Sequence, residues 1–157
     1  MSTATLKDQA ALKNQTSKDE AAIRSLIESI HKAHRNKDAA AIVAPYASDA
    51  VVCSLAPPLS HRGMDLQEKK AWLDTWEGPI DFESRDLSIT VSGDFAFCYG
   101  FYQMSGTPKA AGRPISFWMR ATVCLRRDGA TWQIVHEHTS VPFYMDGSLR
   151  PAFDLKP

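Results

Sequence analysis

The chain has 157 residues, enough to bury a core and about the size of one domain. Hydrophobic residues make up 44% and charged residues 23%, so disorder is not the default for its body. Eighteen basic residues balance eighteen acidic ones. That neutrality excludes the basic footprint of a nucleic-acid or anionic-membrane binder and leaves little charge repulsion against self-association.

Residues 1–16 are polar and alanine-rich, and read as a frayed or flexible segment with no apolar stretch of the signal-peptide kind. Ser17-Lys18-Asp19-Glu20 fits a capping box, and Ile23, Leu26, Ile27 and Ile30 follow at helical spacing. Asp38 caps a short second helix over 39–44, which Pro45 ends. Residues 50–55 read as a strand stopped by Pro57-Pro58. After Gly63, Asp65 and Glu68 open a third helix whose face holds Leu66, Leu73 and Trp76 and which Gly78-Pro79 closes.

From Ile80 the apolar period becomes two, and four strands follow. Gly93-Asp94 turns Leu87–Val91 into Phe95–Met104, and a loop over 106–114 leads to Ile115–Arg127. Asp128-Gly129 is a hairpin signal before Thr131–Ser140. The body is thus 17–143, with an irregular proline-bearing tail over 144–157. Helices followed by an antiparallel meander imply an α+β domain, helices folded on a strongly curved sheet.

The turns set expected registers. Gly93-Asp94 puts Leu87, Ile89 and Val91 opposite Gly100, Cys98 and Ala96 on the inner face. Phe95, Phe97, Tyr99 and Phe101 then fall outside. With Arg127 opposite Ala130, Leu125 faces Trp132, Val123 faces Ile134, Ala121 faces His136 and Met119 faces His138, all inward. Trp118, exposed, and Arg120, paired across strands with Glu137, fall outside. A dimer interface of Phe97, Tyr99, Phe101, Trp118, Arg120 and Glu137 is expected, because such rings should not stand in water; coverage by the tail or the N-terminal segment is the alternative.

His136 and His138 point the same way along a strand and are the expected catalytic acid–base pair of an apolar pocket. Hydrogen-bonded core histidines are an equally good reading of the pair. Candidate ligand contacts are His34, Tyr46, Trp72, Phe117 and Met119, with plain core the leading reading for Trp72. His34 also suits the negative end of its helix, and His31 sits at the edge of that face. Three scattered cysteines, Cys53, Cys98 and Cys124, fit neither a disulfide framework nor a zinc ribbon and suggest a reducing, cytoplasmic setting. No metal or other cofactor is expected: His-x-His supplies two ligands where a site needs more, and no phosphate loop or nucleophile elbow is present.

Tyr46-Ala47-Ser48-Asp49-Ala50-Val51-Val52, Gly63 before a helix, Phe117-Trp118-Met119-Arg120-Ala121-Thr122, and Trp132-Gln133-Ile134-Val135-His136-Glu137-His138-Thr139-Ser140-Val141-Pro142-Phe143 occur in that order. Over about 17–143 this resembles the SnoaL-like, ketosteroid-isomerase-related branch of the NTF2-like superfamily. The resemblance implies an NTF2-like (cystatin-like) cone, three helices on a mainly antiparallel sheet, a deep pocket and homodimers packed through the sheet. It implies no single reaction. At the two positions where the true isomerases carry their acids, this chain aligns Ser54 and Ala121, so their mechanism is not expected, and His136 is the polar group expected nearest the second position. The reading is a small-apolar-molecule binder, an isomerase, cyclase or lyase using histidine; the alternative is a non-catalytic binding or dimerisation domain.

Overall fold

A computed structural model describes residues 3–157, with side chains from Asp8 onward. Met1 and Ser2, at the head of the expected flexible segment, lie outside the described residues. The elements are α1 (Thr3–Arg35), α2 (Ala39–Val43), β1 (Tyr46–Cys53), β2 (His61–Arg62), α3 (Leu66–Asp74), β3 (Trp76–Ser92), β4 (Phe95–Pro108), β5 (Ile115–Asp128) and β6 (Thr131–Ser140).

α1 does not start at Ser17. It runs through the expected capping box without a break, and Asp19, the third residue of that box, is buried and bound to Arg127 at 2.7 Å. A serine with a glutamate three residues on is a start signal only where no helix precedes it. Ile23, Ile27, Ile30 and His34 form the buried face of α1, as their spacing requires. The Asp38 side chain accepts from the Ala41 N–H at 3.0 Å, and Asp65 accepts from the Gln67 and Glu68 N–H groups at 2.8 Å, so both expected caps are present. α3 ends earlier than Gly78-Pro79 predicts: Thr75 caps it and Trp76 already belongs to β3.

The six strands lie in the order β2-β1-β6-β5-β4-β3, antiparallel except for β1 beside β6. The β3–β4 hairpin has Ile89 opposite Cys98 and Val91 opposite Ala96, as its turn predicts. Gly100 lies under the β3 bulge at 85–88: a Cβ there would stand 3.0 Å from the Leu87 Cα. α1 covers the concave face, and the core joins its isoleucines to Ile80, Cys98, Val123, Leu125 and Ile134. After β6 the chain folds back on itself: Phe143 bridges Pro151, the Ala152 N–H donates to the Pro142 carbonyl at 2.8 Å, and Phe153 lies 4.5 Å from Phe117. Among the described residues no helix is long and apolar enough to cross a membrane.

Candidate functional site

The site is set by a bulge in the last strand. Near the turn, Asp128 pairs with Thr131, Arg127 with Trp132 and Leu125 with Ile134. The turn residues are thus Gly129 and Ala130, two places off the expected pairing, which leaves each side chain on its expected face. The next pair is Cys124 with His136, so Val135 is an extra residue. Beyond it the parity reverses.

Glu137 now stands opposite Val123 and Thr139 opposite Ala121, on the inner face. His136 stands opposite Cys124 and His138 opposite Thr122, on the outer face, with His138 exposed. The expectation that both imidazoles line the interior is therefore corrected, as is His136 facing Ala121. The expected Arg120–Glu137 pair fails for the same reason: Arg120 faces Ser140, and Glu137 does not lie on the outer face. A tight turn transmits register only as far as the first bulge.

Glu137 enters a polar cluster. The Tyr46 hydroxyl donates to its Oε2. Burial raises the Glu137 carboxyl above the usual range, opposed by the Tyr46 hydrogen bond and by the charges of Lys69, His136 and His61. Burial, then the Glu137 charge, raises Tyr46 well above the usual phenol range, and the same two causes raise Tyr102. Both phenols therefore remain neutral donors near neutral pH. Burial lowers Lys69, opposed by Glu137, and its Nζ sits 4.8 Å over the Trp72 ring.

Two histidines of α1 pack beside this cluster. The His34 Nδ1–H donates to the Ile30 carbonyl at 2.9 Å, and its ring lies 4.7 Å from Phe82 and 6.0 Å from Trp72. His31 meets the Tyr102 ring edge-on at 4.9 Å. Burial holds each imidazole down to about 4, so both are neutral at neutral pH. His31 also lines a cleft of about 480 Å³ between α1 and β3, beside Phe82 and Ser84, whose buried hydroxyl has no hydrogen-bond partner.

Of the expected contacts, His34 and Trp72 meet ring to ring, Tyr46 bonds Glu137, and Phe117 and Met119 lie on the inner face of β5, Met119 opposite Tyr102. On the outer face Phe97 and Tyr99 are exposed and stack at 6.3 Å, Phe101 is half-buried and Arg120 exposed. Trp118 is buried rather than exposed, because the Arg85 guanidinium lies 4.8 Å over its ring. Ser54 is exposed just past β1. Sequence reasoning missed Glu137 as an inner residue, and missed Tyr102, Lys69 and His61. The inward parity of Tyr102 was readable from the Gly93 turn; the position of Glu137 had no signal in residue type. Among the described residues no cluster of three or more His, Cys, Asp or Glu is arranged to hold a metal ion.

The SnoaL-like domain family matches residues 23–144. An NTF2-like protein of unknown function from Pseudomonas putida is 34% identical and superposes with a TM-score of 0.79, covering 90% of this chain and 99% of its own. An NTF2-like protein with a cystatin-like fold from Novosphingobium aromaticivorans is 19% identical, with a TM-score of 0.65 and coverages of 94% and 92%. A ketosteroid isomerase-like protein from Erwinia carotovora atroseptica is 22% identical, with a TM-score of 0.61 and coverages of 76% and 93%. No curated protein matches the sequence. The last two likenesses concern the fold alone.

Proposed function

The chain belongs to the SnoaL-like family of the NTF2-like superfamily, and from that premise we propose that it is an acid–base enzyme acting on a small, mostly apolar carbonyl compound held inside the cone. The observation that carries this reading is the inward Glu137 carboxyl, raised by burial and bonded to Tyr46 among aromatic rings. A carboxylate displaced upward toward neutral pH is a better base than one in water. In this reading Glu137 removes a proton next to the substrate carbonyl. Tyr46 orients the carboxylate. The neutral Tyr102 hydroxyl donates to the oxygen on which negative charge collects. Phe117, Met119 and Trp72 supply apolar walls, and the neutral imidazoles of His31 and His34 add no charge for the ligand to meet.

The positions aligned with the isomerase acids hold Ser54, which is exposed, and Ala121, on the inner face. Glu137 is thus a carboxylate supplied from a different strand. The test follows deuterium uptake at the α-carbon of a panel of enolisable ketones in heavy water. The native protein should catalyse it, and Glu137→Gln should slow it about a hundredfold or more. Equal exchange by both proteins would remove the reading.

A second reading, a homodimer through the outer face, is favoured by the exposed Phe95, Phe97 and Tyr99 on one side of β4. Light scattering measures it directly. It is compatible with catalysis.

A further inference from the structure

The cleft between α1 and β3 lies away from Glu137. β3 is an edge of the sheet, three places along it from β6, and α1 leans over that edge to leave a space of about 480 Å³. Both ends of the space are tied. At one end the Arg35 guanidinium pairs with Asp81; at the other an Arg24 N–H donates to the Leu87 carbonyl at 3.4 Å. From Arg24 to Arg35 the helix rises about 16 Å. The bulge at 85–88 shapes the strand wall: Asp86 takes a left-handed φ of +53°, which an aspartate accepts more readily than most residues.

The floor is flat. His31 and Phe82 stack at 5.5 Å with their rings 20° apart, and both line the cleft. His31 also meets the Tyr102 ring, so the imidazole stands between the cleft and the cone. Beside it the buried Ser84 hydroxyl has no hydrogen-bond partner among the described residues. Such a group costs free energy until something bonds it, and a turn about its one side-chain bond is enough to offer it to an occupant.

The rim carries both signs in equal number: Arg24, Lys32 and Arg35 against Glu28, Asp81 and Asp86. An occupant with a net charge would leave one sign unmatched. Arg35 and Asp81 already answer each other. Glu28 and Lys32 do not: they stand exposed one helical turn apart, and among the described residues neither has an ion pair or a side-chain hydrogen bond. A pair at that spacing is worth little at a surface, so it competes weakly with a ligand.

We propose that this cleft is a binding site, separate from the cone interior, for a small zwitterion with a flat apolar group, an aromatic α-amino acid. Its ammonium meets Glu28, its carboxylate meets Lys32, and its ring lies against Phe82 and Leu87. The Ser84 hydroxyl turns to donate to the carboxylate. The site stands whether or not Glu137 acts as a base.

The probe is L-phenylalanine, titrated into the native protein and followed by calorimetry and by amide chemical shifts. Saturable binding at one site is expected, with Kd about 1 mM or below and shifts centred on Phe82, Ser84 and Leu87. 3-Phenylpropionate, which lacks the ammonium, and 2-phenylethylamine, which lacks the carboxylate, should each bind at least about tenfold more weakly. Glu28→Gln should weaken phenylalanine about tenfold and leave phenylpropionate unchanged, and Lys32→Gln should do the same with phenylethylamine as the unchanged ligand. Both side chains are exposed, and a native-like amide spectrum shows that each variant is folded. No binding up to about 10 mM, equal binding of phenylalanine and the two half-charged analogues, or shifts centred on Tyr46 and Glu137 would each overturn the assignment.

Discussion

The Tyr46 hydroxyl donates to Glu137 Oε2 and so ties the first strand to the last inside the cone. This bond lowers the Glu137 carboxyl, while burial, the larger influence, raises it. Tyr46→Phe removes the opposing influence, so the carboxyl rises further. The acidic limb of the exchange rate should move to higher pH, with activity at neutral pH reduced. An unmoved limb would show that the bond does not tune the base.

Glu137 should also weaken the fold it serves. Its carboxyl is raised in the folded chain above the unfolded value of about 4.3. Below that value both states hold the proton and there is no penalty. As pH rises through the folded value, the penalty for burying the charge appears in full. Glu137→Gln should therefore melt higher than the native protein at neutral pH, by about 2–4 °C for each kcal/mol recovered. The gain should vanish toward pH ~4. Thermal melts across pH check both parts.

The opposite sign holds at Asp19. Its hydrogen bond from Arg127 at 2.7 Å is the largest cause holding the carboxyl below the usual range, against burial. Its contribution is complete above the unfolded value of about 3.9 and is lost as pH falls through the folded value. Asp19→Asn should lower stability at neutral pH and flatten its fall on acidification. Urea unfolding at about pH 6 and about pH 3 would show it.

Gly100→Ala tests the bulge in β3. The new methyl would stand 3.0 Å from the Leu87 Cα and 3.1 Å from the Arg85 carbonyl oxygen, both backbone atoms that cannot swing away. A loss of about 1–3 kcal/mol is expected from urea unfolding.

On the outer face, Phe97→Lys with Tyr99→Lys puts like charges where two stacked rings now stand. Light scattering should show a dimer for the native chain and a monomer for the double variant. Its melting temperature should change only through lost subunit contact and so become independent of concentration. A native monomer would dispose of the interface.

Much of the architecture could be read from residue order. Asp38 and Asp65 cap the helices that their positions announce, and the Gly93 turn places Ile89 against Cys98 and the β4 aromatics outside. These succeed because caps and tight turns are local. The site was hidden because its two determinants are not. The extra residue at Val135 is indistinguishable from any strand valine, yet it decides which of three consecutive polar residues enters the cone. The pairing of β1 with β6 brings Tyr46 and Val52 to Glu137 across more than eighty residues of chain. Ser17 misled for a related reason, since a cap motif inside a longer helix satisfies every local rule except being first.

The Val135 bulge makes the chemistry of this cone a matter of counting. Deleting that single residue would restore unbroken alternation through the strand and turn two imidazoles inward where one carboxylate now points. The neighbouring strands need not move for the exchange to occur. Among descendants of this scaffold, loss or gain of one codon is then a route by which a carboxylate-lined interior becomes a histidine-lined one in one step, with no intermediate substitution.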